Sequence, residues 1–176
     1  MKLNEIKNCL SDGQFGEIFN VLYTNINESV ERYSNACDRF AHYFGEDRDV
    51  ELFSAPGRTE VGGNHTDHQL GCVLAGGVNL DVIAVVSKND EGIVRIKSKG
   101  FDMDVIDTAE LTPVESEKER SSSLIRGVCA RIKELGYDIG GFDAYTTSNV
   151  FKGSGLSSSA AFEVLVGTII SYIYND

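Results

Sequence analysis

The 176-residue chain is 41% hydrophobic and 24% charged, which suits one compact globular domain with a core of its own. Its formal net charge of −11 argues against nucleic acid as the main partner, because a phosphate backbone needs a basic stripe. No run reaches the roughly 18 unbroken apolar residues of a membrane span.

In chain order, residues 1–28 are mixed and polar, and irregular structure with a short helix is expected there. The opening MKLNEIKNCLSDGQF is too polar for a signal peptide. Cys9, Cys37, Cys72 and Cys129 are scattered with no CxxC pair, so they read as reduced thiols of a cytoplasmic protein. Val30, Tyr33, Ala36 or Cys37, Phe40 and Phe44 fall at helical intervals over residues 29–44, and Gly45 closes the run. Residues 51–55 alternate as a strand that stops at Pro56-Gly57, and a glycine-punctuated loop follows to Gly71. Residues 78–88 form a long β-branched strand, and Asn89-Asp90-Glu91-Gly92 reads as a hairpin turn into a strand at 93–98. A further strand is expected over 101–106, an acidic loop over 107–121, a helix over 122–135 and a strand over 142–150. The last helix, 156–174, is apolar nearly all round and ends without a cap or glycine. Something outside these residues is expected to cover it, an exposed dimerisation face being the alternative. The order predicts an α+β fold, with helices packed on a mostly antiparallel or mixed β-sheet.

Two loops carry chemistry. Gly153-Ser154-Gly155-Leu156-Ser157-Ser158-Ser159-Ala160-Ala161 runs a glycine-rich turn into the last helix. A helix N-terminus offers free N–H groups and partial positive charge, which together bind phosphate. The same pattern also suits a plain N-capped helix after a turn. It lacks the Lys-Ser/Thr of a P-loop and the dinucleotide fingerprint. The second loop, Pro56 to Asp67, mixes donors and acceptors in Asn64, His65, Thr66 and Asp67, the mixture a polyol needs. Asp67 can accept from two vicinal hydroxyls, and Arg58 is a permanent cation able to face a transferring phosphoryl group. An ordinary surface loop with an Arg58–Glu60 pair is the alternative. His65 and His68 alone do not make a metal site.

Together the loops resemble the galactokinases, within the larger group of galactokinase, homoserine kinase, mevalonate kinase and phosphomevalonate kinase (the GHMP kinases). The family signature is close to P-G-R-V-N-L-I-G-E-H-T-D-Y, read here from Pro56 to His68. Its phosphate loop is close to P-x-G-x-G-L-S-S-S-A-A, read here from Phe151 to Ala161. The resemblance implies an incomplete N-terminal ATP- and sugar-binding domain over residues 29–176, preceded by an extension over 1–28. It implies transfer of the ATP γ-phosphate to the C1 hydroxyl of galactose. Arg58 would stabilise the transition state, and Asn64, His65, Thr66 and Asp67 would bind the sugar. Ser98 and Gly153, Ser154, Gly155, Leu156, Ser157, Ser158 and Ser159 would contact ATP, with Ser159 helping to hold Mg²⁺.

The departures are Asn64 for glutamate, His68 for tyrosine and Phe151 for proline. The family's catalytic aspartate, its second Mg²⁺ ligand and its C-terminal domain lie beyond residue 176, so these residues alone are expected to be inactive. Two other readings stand beside the kinase. One is a non-catalytic galactose and ATP sensor, against which the intact Ser159-Ala160 pair counts. The other is a sibling kinase for another sugar or a non-sugar alcohol.

Overall fold

A computed structural model describes residues 1–63, 70–150 and 155–176. The described residues form helices α1 (Leu3–Ser11), α2 (Gly16–Leu22), α3 (Ile26–Phe44), α4 (Ser121–Glu134) and α5 (Ser158–Asn175). The strands are β1 (Glu51–Gly62), β2 (Leu74–Lys88), β3 (Ile93–Ser98), β4 (Met103–Asp107) and β5 (Phe142–Ser148). They make one mixed sheet in the order β1-β2-β5-β3-β4, in which only the β5–β3 pairing is parallel.

The period-2 alternation of β2 explains the layering. Val82, Ala84 and Val86 face a core built with α4 and α5, which contribute Ile125, Cys129, Leu165, Val166, Ile169 and Ile170. Ile83 and Val85 face the other way, onto Tyr33, Cys37 and Phe40 of α3 and the side chains of α1 and α2. A strand covered on both faces must be apolar on both, which is why residues 82–86 read as a continuous hydrophobic run. Burial pushes the Cys37 thiol up to about 12 and the Cys129 thiol up to about 11, so both sit as inert core thiols.

Several sequence expectations are corrected. Residues 1–28 hold α1, α2 and the start of α3 rather than irregular structure with one short helix: Leu3, Ile6 and Leu10 line one face of α1, and Phe19 anchors α2 through a ring stacked 5.0 Å from Tyr33. Helix α3 begins earlier than expected because Asn25 caps it, accepting from the Glu28 N–H at 3.2 Å. Strand β1 does not stop at Pro56 but runs on to Gly62. It lies at the edge of the sheet, where the missing proline N–H costs no ladder bond to a second neighbour. Gly63 then turns with φ +106, and a side chain there would press on the Cys72 carbonyl at 2.7 Å, so only glycine fits.

The Asn89–Gly92 turn is not a hairpin, since β5 lies between β2 and β3. Phe142 and Ala144 of β5 are fully buried between those strands, and Asn89 fastens the turn to both neighbours by donating. Its N–H donates to Gly141 O at 3.0 Å, and its Nδ2 donates to Ile93 O at 2.9 Å. The apolar α5 buries Ala161, Leu165, Val166, Ile169 and Ile170, while Val164 (57%) and Tyr172 (52%) stay exposed. Its end is fastened after all: Asn175 exchanges hydrogen bonds with the Asp138 backbone at 2.9 Å, and Tyr174 OH donates to Gly141 O at 2.6 Å. No helix among the described residues is long and apolar enough to cross a membrane.

Candidate active site

The sheet topology gathers the site. Strands β1, β5 and β3 run in one direction, because β2 is antiparallel to both β1 and β5 while β5 is parallel to β3. Their C-terminal ends therefore share one edge of the sheet. Arg58 lies toward the end of β1, Ser98 ends β3, and the glycine-rich loop leaves β5 after Ser148.

Two contacts lock Arg58 to that loop. The Arg58 N–H donates to Leu156 O at 3.2 Å. A Cβ on Gly57 would stand 3.1 Å from Leu156 O and 3.1 Å from Val150 Cγ2, which measures how closely β1 approaches the loop. Leu156 turns its half-buried side chain into the core while its carbonyl accepts from Arg58, so the loop is fixed at its exit. The Arg58 guanidinium pairs with Glu60, Nη1 to Oε1 at 2.5 Å, with the Glu60 side chain only 9% exposed. This is the Arg58–Glu60 pair that the ordinary-loop alternative names, on a strand whose backbone is tied to Leu156, just before α5.

The first turn of α5 has the character of an anion site. Gly155 (φ +76) and Ser157 (φ 56, ψ 55) are both left-handed, and a left-handed non-glycine residue costs roughly 1–2 kcal/mol. Ser157 holds the N-cap position, and its own side chain makes no cap hydrogen bond to the first turn. The first-turn N–H groups and the helix dipole of such a terminus suit an anion. This disfavours the plain N-capped helix, which would show a cap bond. Ser159 is exposed in that first turn. At the neighbouring strand end, Thr146 Oγ1 donates to Ser98 Oγ at 2.8 Å and holds it beside β5.

Arg58, Ser98, Gly155, Leu156, Ser157, Ser158 and Ser159 thus fall on one edge of the sheet. Asn64, His65, Thr66, Asp67, Gly153 and Ser154, together with His68 and Phe151, lie outside the described residues. Among the described residues no cluster of His, Cys, Asp and Glu is set to hold a metal ion. Sequence reasoning passed over Asp81, a lone charge inside the apolar run of β2, which the fold buries to 3% exposure.

Comparison with known proteins bears on the family. Residues 38–88 match the galactokinase galactose-binding signature, and residues 123–176 match the GHMP kinases N terminal domain. A galactokinase from Ligilactobacillus salivarius is 33% identical over 140 residues, which is 78% of this chain and 36% of that protein. The solved galactokinase of Lactococcus lactis, complexed with galactose, superposes with a TM-score of 0.71 at 29% identity, over 79% of this chain and 37% of that one. The mevalonate kinase of Methanococcus jannaschii shares the fold, with a TM-score of 0.58 at 14% identity over 72% of this chain and 41% of that one. The chain spans a little over a third of the length of the galactokinases it matches. In signature, in relatives and in fold, the chain is similar to the N-terminal portion of galactokinases, with residues 123–176 matching the GHMP kinases N terminal domain.

Proposed function

We propose that the intact protein is a galactokinase and that these residues supply the phosphate-binding and part of the sugar-binding half of its site. The observation that carries this reading is the hydrogen bond from the Arg58 N–H to Leu156 O, which holds the cation of one signature against the phosphate loop of the other. The C1 hydroxyl oxygen of galactose bonds to the γ-phosphorus of ATP. The bond from that phosphorus to the β–γ bridging oxygen breaks, ADP leaves, and the hydroxyl proton passes to a base. The family's aspartate base matches no position here. Transfer of this kind needs positioning and charge neutralisation more than covalent help. Arg58 neutralises charge on the moving phosphoryl group, the α5 N–H groups and Gly153 to Ser159 wrap the phosphates, and Ser98 orients the nucleotide. Asn64, His65, Thr66 and Asp67 hold the sugar.

Mg²⁺ fits this donor set as the partner of a nucleotide. Ser159 offers one hard oxygen ligand in the first turn of α5, and the remaining charge on the ion is matched by the phosphates. Bound there, Mg²⁺ would supply charge neutralisation at the β- and γ-phosphates. We place the protein in the cytoplasm, supported by the free thiols of Cys37 and Cys129. The exposed Val164 and Tyr172 face of α5 is read as the seat of further galactokinase-type chain, and the 176 residues alone as binding without turnover.

Substituting Asp67→Ala tests the two-site arrangement. Titration calorimetry on the intact protein is expected to show galactose binding weakened by about 100-fold or more, since a charged hydrogen-bond partner contributes on the order of 1.5–3 kcal/mol and Asp67 can make two such bonds. ATP affinity is expected to stay within about threefold. Equal loss of both ligands would remove the assignment of Asp67 to the sugar.

A further inference from the structure

Asp81 is the single charge in the apolar middle of β2, and its side chain is 5% exposed. Three donors converge on it. Arg32 Nη1 reaches Oδ1 at 2.5 Å, while Tyr23 OH at 2.5 Å and Ser54 Oγ at 2.6 Å share Oδ2. The backbone carbonyl of Asp81 accepts twice more, from Arg32 Nη2 at 3.0 Å and from the Asn149 N–H at 3.0 Å. Arg32 Nη2 also donates to Thr147 O at 3.1 Å. One ion pair therefore ties α2 and α3 to β1, β2 and the end of β5.

Its place in the ladder is specific. Pro56 pairs with Asp81, and the next β1–β2 pair is Arg58 with Gly77, so the register shifts between Pro56 and Arg58, just before Asp81 in β2. On the other side Val82 pairs with Ser148, the last residue of β5 before the loop departs. A register shift thus separates Pro56 from Arg58, the pairing of β5 ends at Ser148, and the Asp81 network stands beside both points.

Burying an ion pair is a poor way to gain stability, since a well-packed apolar pair often does as well. Here Arg32 Nε is even left buried without a hydrogen-bond partner among the described residues. What directed charge does supply is a single geometry. We propose that Asp81 and Arg32 are positioning residues that fix Arg58 relative to the entry of the phosphate loop. The proposal rests on the kinase reading only for what this positioning serves.

The test compares Asp81→Asn with Asp143→Asn in the intact protein. Asp143 is equally buried at the far end of β5, bound by Arg48 at 2.8 Å and Arg95 at 3.0 Å, so its variant reports the loss of a buried ion pair away from the site. Amide hydrogen exchange at Arg58 and Asn149 is expected to quicken about tenfold in Asp81→Asn and to stay near wild type in Asp143→Asn. In turnover, Asp81→Asn is expected to lower kcat by about tenfold or more with both KM values within about threefold, because misplacement of the reacting groups is felt in the transition state. Ser54→Ala, which removes one donor and spares the ion pair, is expected to quicken the same two amides by a smaller factor, and it decides the matter should Asp81→Asn not fold. Unchanged exchange at Arg58 and Asn149, or equal effects of the Asp81 and Asp143 variants, would overturn the proposal. A wild-type protein without galactose-dependent turnover would instead overturn the kinase reading, and the exchange data would still decide the positioning role.

Discussion

Replacing Arg58 with alanine in the intact protein is expected to lower galactose-dependent kcat by roughly 10²–10³-fold, the usual effect of deleting one preorganised group that meets charge developing in a transition state. The KM for ATP is expected to change far less, because a contact made mainly in the transition state does little for ground-state binding. Glu60 complicates the single variant. Its carboxylate is 9% exposed and loses its 2.5 Å partner, so Arg58→Ala is also expected to lower the stability of the fold around β1. The double variant Arg58→Ala with Glu60→Gln removes that charge. Its thermal stability is expected to recover toward wild type while kcat stays as low as in Arg58→Ala. Recovery of activity with stability would mean that Arg58 serves only as the ionic partner of Glu60.

The second large effect concerns β5, which carries the phosphate loop. Phe142 is fully buried between β2 and β3, in ladder register with Lys88 on one side and Val94 on the other. Phe142→Ala is expected to cost about 3–5 kcal/mol, through lost burial and the cavity left behind. For a domain of this size that lowers Tm by on the order of 10 °C, read by circular dichroism melting. Phe101→Ala is the control, because Phe101 is 65% exposed and its loss should fall within about 0.5 kcal/mol. A Phe142→Ala protein melting with the Phe101 variant would contradict the placement of β5 inside the sheet.

How much was legible in the chain depends on how local the signal is. Helix α3, strand β3 and helix α4 have apolar residues at clear helical or alternate spacing, and they fold close to where that spacing puts them. The insertion of β5 between β2 and β3 was not legible. Asn89–Gly92 has the residues of a tight hairpin turn, and nothing nearby in sequence states that a strand some fifty residues later takes the partner's place. The continuation of β1 past Pro56 was hidden for a related reason, since proline ends a central strand but is tolerated at an edge, and edge or centre is a property of the assembled sheet.

The candidate site divides in the same way. Arg58 and the residues from Gly155 to Ser159 could be read from the two motifs, because glycine and serine at a helix start have a chemical meaning of their own. Their adjacency required the fold, through the Arg58 to Leu156 hydrogen bond. Asp81 carried a signal, a carboxylate in the middle of an apolar strand, but its meaning needed Arg32, Tyr23 and Ser54, which come from two helical segments and the neighbouring strand.

The central claim is that Arg58 and the loop before α5 are parts of one phosphoryl-transfer site for galactose. The most direct measurement is the product itself: the intact protein is incubated with galactose and Mg²⁺-ATP, and phosphorus NMR follows the phosphoryl group. The predicted result is a phosphate on C1 of galactose, formed in equal amount with ADP and abolished by Arg58→Ala. A phosphate on another hydroxyl, or ATP and galactose both bound with no transfer, would contradict it.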